Sequence, residues 1–264
     1  MRTLQRAVRS KNTGGEPIPP VFKCFKDMDI VVRRSELTLI AGTPGAGKSS
    51  LALALVAHAK MPTFYLSADT NAHTMSMRMY SMLTGKTQAE AEQIISNNPE
   101  DVSHLFESEC AEIRWSFDST PSLADLDDEI QGFETKFGIS PSIIVIDNLM
   151  DLAIDGHEEF SGMRQAMKEL KYLARDTNAA VIILHHTKEG FTGTPCQPRA
   201  AVQGMVNQIP ALILTIGQEI IDEDNYMCVA PVKNRYGRAD ASGKTFVRLA
   251  FDPASMQLKD ITSD

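Results

Sequence analysis

Apolar residues follow two rhythms along this chain. Apolar runs at Leu37–Ile40, Phe64–Leu66, Ile143–Ile146, Val181–Leu184 and Leu212–Ile216 mark strands, and Ile143–Ile146 is apolar at every position. The last of these features predicts a strand of the buried, parallel-sheet kind. Ile113–Phe117 predicts a further strand. Between these runs lie Ser49–Ala59, Met75–Leu83, Gln88–Ser96, Leu123–Lys136 and Gly162–Arg175, which predict helices. In the last, Met163, Met167, Leu170 and Leu173 recur at three- and four-residue spacing. Ser122 or Thr120 is placed to cap the Leu123 helix. Tyr226–Val232 and Thr245–Leu249 predict a C-terminal hairpin at one sheet edge, joined by a Gly-containing loop. Strands alternating with helices imply an α/β fold with a mostly parallel twisted sheet flanked by helices. No repeat, low-complexity tract or heptad run interrupts it.

The composition agrees with one globular unit: 264 residues, 43% hydrophobic and 23% charged. Residues 1–20 are polar, with Gly14-Gly15 and prolines at 17, 19 and 20, and read as a flexible N-terminal arm before a domain over 21–264. Arg2, Arg6, Arg9 and Lys11 either serve as solvated charge or touch phosphate or a neighbouring subunit. No apolar run reaches the roughly 20 residues that cross a bilayer, and no secretory h-region opens the chain. Cys24, Cys110, Cys196 and Cys228 are scattered, so neither a zinc site nor a disulfide framework is expected. The expected location is the cytoplasm of a bacterial cell, or of one infected by a phage. The net charge of −8 restricts any nucleic-acid contact to a few local cations.

The chemistry begins at Gly42-Thr43-Pro44-Gly45-Ala46-Gly47-Lys48-Ser49, which matches G-x-x-x-x-G-K-[ST] at every fixed position, with Ser50 following. A strand precedes it and a helix follows. Glycines let backbone N–H groups approach phosphates, and the helix N-terminus adds a positive dipole end. Lys48 would reach the β- and γ-phosphates of ATP, and the Ser49 hydroxyl would ligate Mg²⁺. Gly243-Lys244-Thr245 imitates the end of such a loop, but Gly237 stands one residue too far upstream and a strand follows. It reads as a turn.

A carboxylate must complete the Mg²⁺ shell. Asp147 closes the run Ile143–Ile146, at the strand end where open α/β sheets bind ligands. Asp69, after Leu66-Ser67-Ala68, is either the group that activates water or a helix N-cap. His185 and His186 end another strand; neighbours on a strand point to opposite faces, so they do not share a metal. His186 is the candidate γ-phosphate sensor.

In this order the pieces resemble the RecA-like ATPases, most closely the ATPase domain of DnaB-type replicative helicases, over roughly residues 35–255. Ser67–Thr70 falls on the family's catalytic-glutamate segment, with Asp69 one methylene short. Arg78 falls on an arginine of the next helix, Asp118–Pro121 on the segment before the long helix, and Ile146–Leu149 on the Walker B run. His186 falls on the polar sensor and Gln203-Gly204 on a Ser-Gly pair. Val232-Lys233-Asn234-Arg235-Tyr236-Gly237 falls on the strand whose Lys and Arg reach the γ-phosphate of the neighbouring subunit. The resemblance thus implies a RecA-like P-loop fold, ATP and Mg²⁺, a homo-oligomeric, hexamer-like ring, and single-stranded DNA, without a membrane. Lys188 and Arg199 are the candidate DNA-phosphate contacts; Phe191 either stacks on a base or acts as a lid. The segment 150–160 is acidic. The leading expectation is a DNA-dependent ATPase motor of phage or plasmid replication or recombination. A recombination or annealing mediator that uses ATP as an assembly switch is the alternative. A signalling ATPase of the same fold remains open, as does a nuclease built on Asp118, Asp125, Asp127 and Asp128.

Overall fold

A computed structural model describes residues 15–153, 159–188, 190–191 and 193–261. The strands are β1 (Leu37–Gly42), β2 (Thr63–Ser67), β3 (Ile113–Ser116), β4 (Ile143–Asp147), β5 (Ala180–His186), β6 (Leu212–Ile221), β7 (Asp224–Asn234), β8 (Val247–Asp252) and β9 (Gln257–Asp260). The helices are α1 (Lys23–Asp27), α2 (Lys48–Ala59), α3 (Ala72–Thr84), α4 (Gln88–Asn97), α5 (Pro99–Glu109), α6 (Leu123–Phe137) and α7 (Glu159–Asp176). Together the strands form one sheet in the order β3-β2-β4-β5-β1-β6-β7-β8-β9. From β3 to β6 every pairing is parallel; from β6 to β9 every pairing is antiparallel.

The apolar runs fill the middle of this sheet. β1 and β4 are buried at every position, as strands covered on both faces must be. One layer, containing α2 and α3, packs on Ile40, Tyr65, Val145 and Ile182. The other, containing α6 and α7, packs on Leu39, Leu66, Ile144 and Ile183. α2 is buried nearly all round, which explains its lack of a polar stripe. α6 is capped by Ser122, whose hydroxyl accepts from Asp125 N while the Asp125 carboxylate accepts from Ser122 N.

β7 and β8 pair antiparallel, as expected from the sequence, but β9 lies outside them and forms the edge. The tight turn lies instead between β6 and β7, at Asp222 (φ 51) and Glu223 (φ 71). Gly243-Lys244-Thr245 is a turn held by Asp240, whose carboxylate accepts from Ser242 N and Thr245 N. Of the arm read over residues 1–20, positions 1–14 lie outside the described residues. Positions 15–20 run beside residues 32–34, where Ile18 N donates to Val32 O at 2.9 Å. Among the described residues no helix is long and apolar enough to cross a membrane.

Candidate functional site

β1 delivers the chain to Gly42, the loop turns through positive φ at Gly45 and Gly47, and α2 begins at Lys48. Gly47 is favoured by its backbone, with Met227 packed close above it. Its φ is +92°, and a Cβ there would lie 2.5 Å from Met227 Cε on β7. Lys48 Nζ donates to Gly42 O and Thr43 O, each at 3.1 Å, and lies 3.5 Å from His186 Nδ1. Burial lowers the Lys48 pKa, against the pull of Asp147 and Asp69.

Asp147 stands at the end of β4, 6% exposed. Burial raises its pKa, while hydrogen bonds from Ser49 and Tyr65 lower it. The Tyr65 hydroxyl donates to Asp147 Oδ2 at 3.0 Å. Parallel pairing sets Ser67 opposite Asp147, which brings Asp69 to the same cleft. Arg78, from α3, enters it too and donates to Thr70 Oγ1 at 3.2 Å. His186 lines the cleft, where burial and Lys48 lower its pKa. His185 points away, fully buried, with Nε2 at 3.2 Å from Gln203 O. The cleft measures about 460 Å³ and is closed on one side by Phe251, Pro253 and Met256.

This set suits a nucleoside triphosphate with Mg²⁺. A loop cradle with positive φ at Gly45 and Gly47 and a lysine at its floor match phosphate oxygens. A hydroxyl and a carboxylate, Ser49 and Asp147, are hard oxygen donors of the kind Mg²⁺ takes alongside phosphates and water. Bidentate clusters are not needed, and no group of three carboxylates, histidines or cysteines gathers among the described residues. Asp125 accepts from Ser122 at the start of α6, and Asp118 accepts from Thr120 N in the turn before it.

Lys233 and Arg235 are elsewhere. Asn234 pairs with Leu212, which in turn pairs with Thr38, so the two cations sit level with the start of β1, opposite its phosphate-loop end. Lys233 Nζ donates to Asn207 O at 3.1 Å and Gln208 O at 2.6 Å. Burial, and the nearby cations Arg235, Arg199 and Lys171, bring its pKa down to about 8. Arg235 is exposed just past the strand end and makes no ion pair among the described residues. Lys188 and Arg199 are both exposed on the loop between β5 and β6, whose ends meet where Lys188 N donates to Ala201 O at 2.7 Å. Phe191 is exposed, and the acidic positions 155 and 158 fall outside the described residues.

Sequence reasoning passed over Tyr65, Asn148, Gln218 and the turn at Phe251–Met256, all of which line or brace the cleft. Gln218 Nε2 donates to Gly45 O at 3.0 Å. Tyr65 carried one signal: a phenol in a buried strand must find a hydrogen-bond partner.

A family model described as "AAA domain" matches residues 5–190. The Gene 65 protein of Mycobacterium phage L5 is 31% identical over 267 residues, covering 98% of this chain and 99% of that protein. Among solved structures, a DnaB-like replicative helicase described with its interactions with primase superposes with a TM-score of 0.79 at 16% identity. It covers 98% of this chain and 67% of that one. A second solved structure, of an isolated ATPase domain, superposes with a TM-score of 0.78 at 15% identity, covering 98% of this chain and 96% of that one.

Proposed function

This chain belongs to the AAA domain family and is an ATPase, and from that premise we propose a DNA-associated motor that hydrolyses ATP·Mg²⁺ at sites shared between subunits. Residues 21–264 would form the ATPase domain. The observation that carries the shared site is the position of Arg235, exposed at the end of the sheet opposite its own phosphate loop. A cation placed there stabilises transition-state charge only in a neighbour's cleft.

In this reading the loop N–H groups and Lys48 hold the β- and γ-phosphates. Ser49 and Asp147 hold Mg²⁺, which when bound neutralises and orients the phosphate oxygens. Asp69 takes the proton of the attacking water, His186 senses the γ-phosphate from β5, and Arg235 of the next subunit closes the site. Lys233, tied to two carbonyls, braces the chain beside Arg235. Lys188 and Arg199 contact the phosphates of single-stranded DNA.

Mixing subunits tests the shared site: Lys48→Ala and Arg235→Ala proteins, each inactive alone, should recover part of the ATPase rate together and should each poison wild-type assemblies. Failure of either mutant to lower wild-type activity sinks the shared site. The ATPase rate with and without single-stranded DNA tests the DNA association; an unchanged rate would favour a protein-directed ATPase.

A second reading, a recombination or annealing mediator with ATP as an assembly switch, is favoured by Asp69. Its carboxylate is one methylene shorter than the glutamate of the resembled family, so it stands further from the attacking water. Robust ATP-dependent strand displacement would exclude that reading.

A further inference from the structure

Tyr65 is fully buried at the centre of β2. Its ring is held by Trp115, its direct partner on β3, with centroids 4.7 Å apart and a 36° tilt. Trp115 in turn stacks on Phe117 at 6.1 Å and 7°. On the other side Tyr65 is level with Val145, so its hydroxyl reaches diagonally along β4 to Asp147. A phenol wedged in this way cannot swing. It occupies Asp147 Oδ2 from a fixed direction, and Ser49 lines the same cleft from the loop. Packing alone does not require the hydroxyl, since a phenylalanine would fill the same space.

We propose that Tyr65 is a positioning residue for the metal carboxylate: its hydroxyl pins one oxygen of Asp147 so that the carboxylate is set for Mg²⁺ beside Ser49. The aromatic column Phe117–Trp115–Tyr65 fixes that pin, and it links an open surface at the β3 edge to the nucleotide cleft. The proposal rests on the reading of Asp147 as the group that serves Mg²⁺. Trp115 is the only tryptophan in the chain. It touches Tyr65, so its emission reports the state of the pin without any added label.

The experiment compares wild type, Tyr65→Phe and Asp147→Asn. ADP is titrated with and without Mg²⁺, and then Mg²⁺ is titrated at fixed ADP, following Trp115 emission and calorimetric heat. Tyr65→Phe should bind metal-free ADP as wild type does. Its half-saturating Mg²⁺ should rise about tenfold, the usual loss when a group that orients a metal ligand is removed. The Mg²⁺-dependent change in Trp115 emission expected for wild type should vanish. A hydroxyl that is merely satisfied in the core would lower the unfolding temperature and leave the Mg²⁺ titration on the wild-type curve; that result overturns the proposal. Asp147→Asn separates the two levels. If it leaves the Mg²⁺ requirement unchanged, the reading of the site falls and the proposal with it. If it abolishes Mg²⁺ dependence while Tyr65→Phe matches wild type, the proposal alone falls. Trp115→Phe, which loosens the wedge and keeps the hydroxyl, is the second variant. Its Mg²⁺ requirement, read by calorimetry, should also rise, and an unchanged value counts against the pin.

Discussion

The loop between β5 and β6 is seated on the sheet by a single missing side chain. Gly217 of β6 lies against Pro195: a Cβ there would be 1.9 Å from the Pro195 carbonyl oxygen and 2.7 Å from its carbon. Both atoms are backbone, so no rotamer change relieves the contact. Gly217→Ala must push the 187–204 segment off β6 or bend the strand. Overpacking of this kind costs about 1–3 kcal/mol. For a chain of this size each kcal/mol moves the unfolding temperature by roughly 2–4 °C, so a fall of roughly 2–12 °C is expected. Gly132→Ala is the control. Gly132 lies inside α6, and a Cβ added there would meet nothing within 4 Å, so the same substitution should stabilise by about 0.5–1 kcal/mol. Calorimetry reads both variants. Limited trypsin digestion adds a local measure, since a lifted loop presents Lys188 and Arg199 for cleavage. Gly217→Ala melting with wild type, and cut no faster at these two positions, would refute the seating of the loop.

Two further outcomes concern protons. Lys233 titrates near 8, below its ordinary 10.5. Between those values the unfolded chain keeps a proton that the native chain has shed, so stability should rise with pH across that window, measured by urea unfolding. Lys233→Arg stays charged throughout and should remove the rise; an identical slope in both proteins defeats the account. His185 is fully buried, with no partner for Nδ1 among the described residues, and burial lowers its pKa to about 4 from 6.5. The unfolded chain therefore takes up a proton first as pH falls from 6.5 to 4. About 3 kcal/mol of stability should be lost over that range, and His185→Gln should flatten the loss.

What could be read from the sequence was what depends on neighbours in sequence. The phosphate loop is a fixed spacing over eight positions, and the opposite facing of His185 and His186 follows from strand parity alone. The central parallel strand β4 was visible because burial on both faces leaves Ile143–Ile146 without a polar position. The features that were missed depend on partners far away in the chain. β9 has one buried side chain, Leu258, and exists because β8 offers it an edge. The Asp222–Glu223 turn adopts two positive φ values without the glycine that marks the strongest hairpin signal. Tyr65 meets Asp147 only through the register of β2 against β4. Lys233 and Arg235 read as two residues on one face of a strand, yet β7 ends at Asn234, and Lys233 is already committed to carbonyls of the 203–208 segment.

β7 presses Met227 onto its own phosphate loop at Gly47 and, eight residues later, ends beside Arg235. At the rise of an extended strand that span is roughly 25 Å. Hydrogen bonds to β6 over its length and to β8 over its first half keep it from stretching. The strand is thus a ruler. In an assembly where each Arg235 visits the next phosphate loop, the interval from one nucleotide to the next is written into the length of β7, and flexible loops have no say in it. Two residues added to both β6 and β7 would preserve every facing side chain and every ladder bond, yet leave the arginine about 7 Å out of step with the site it serves.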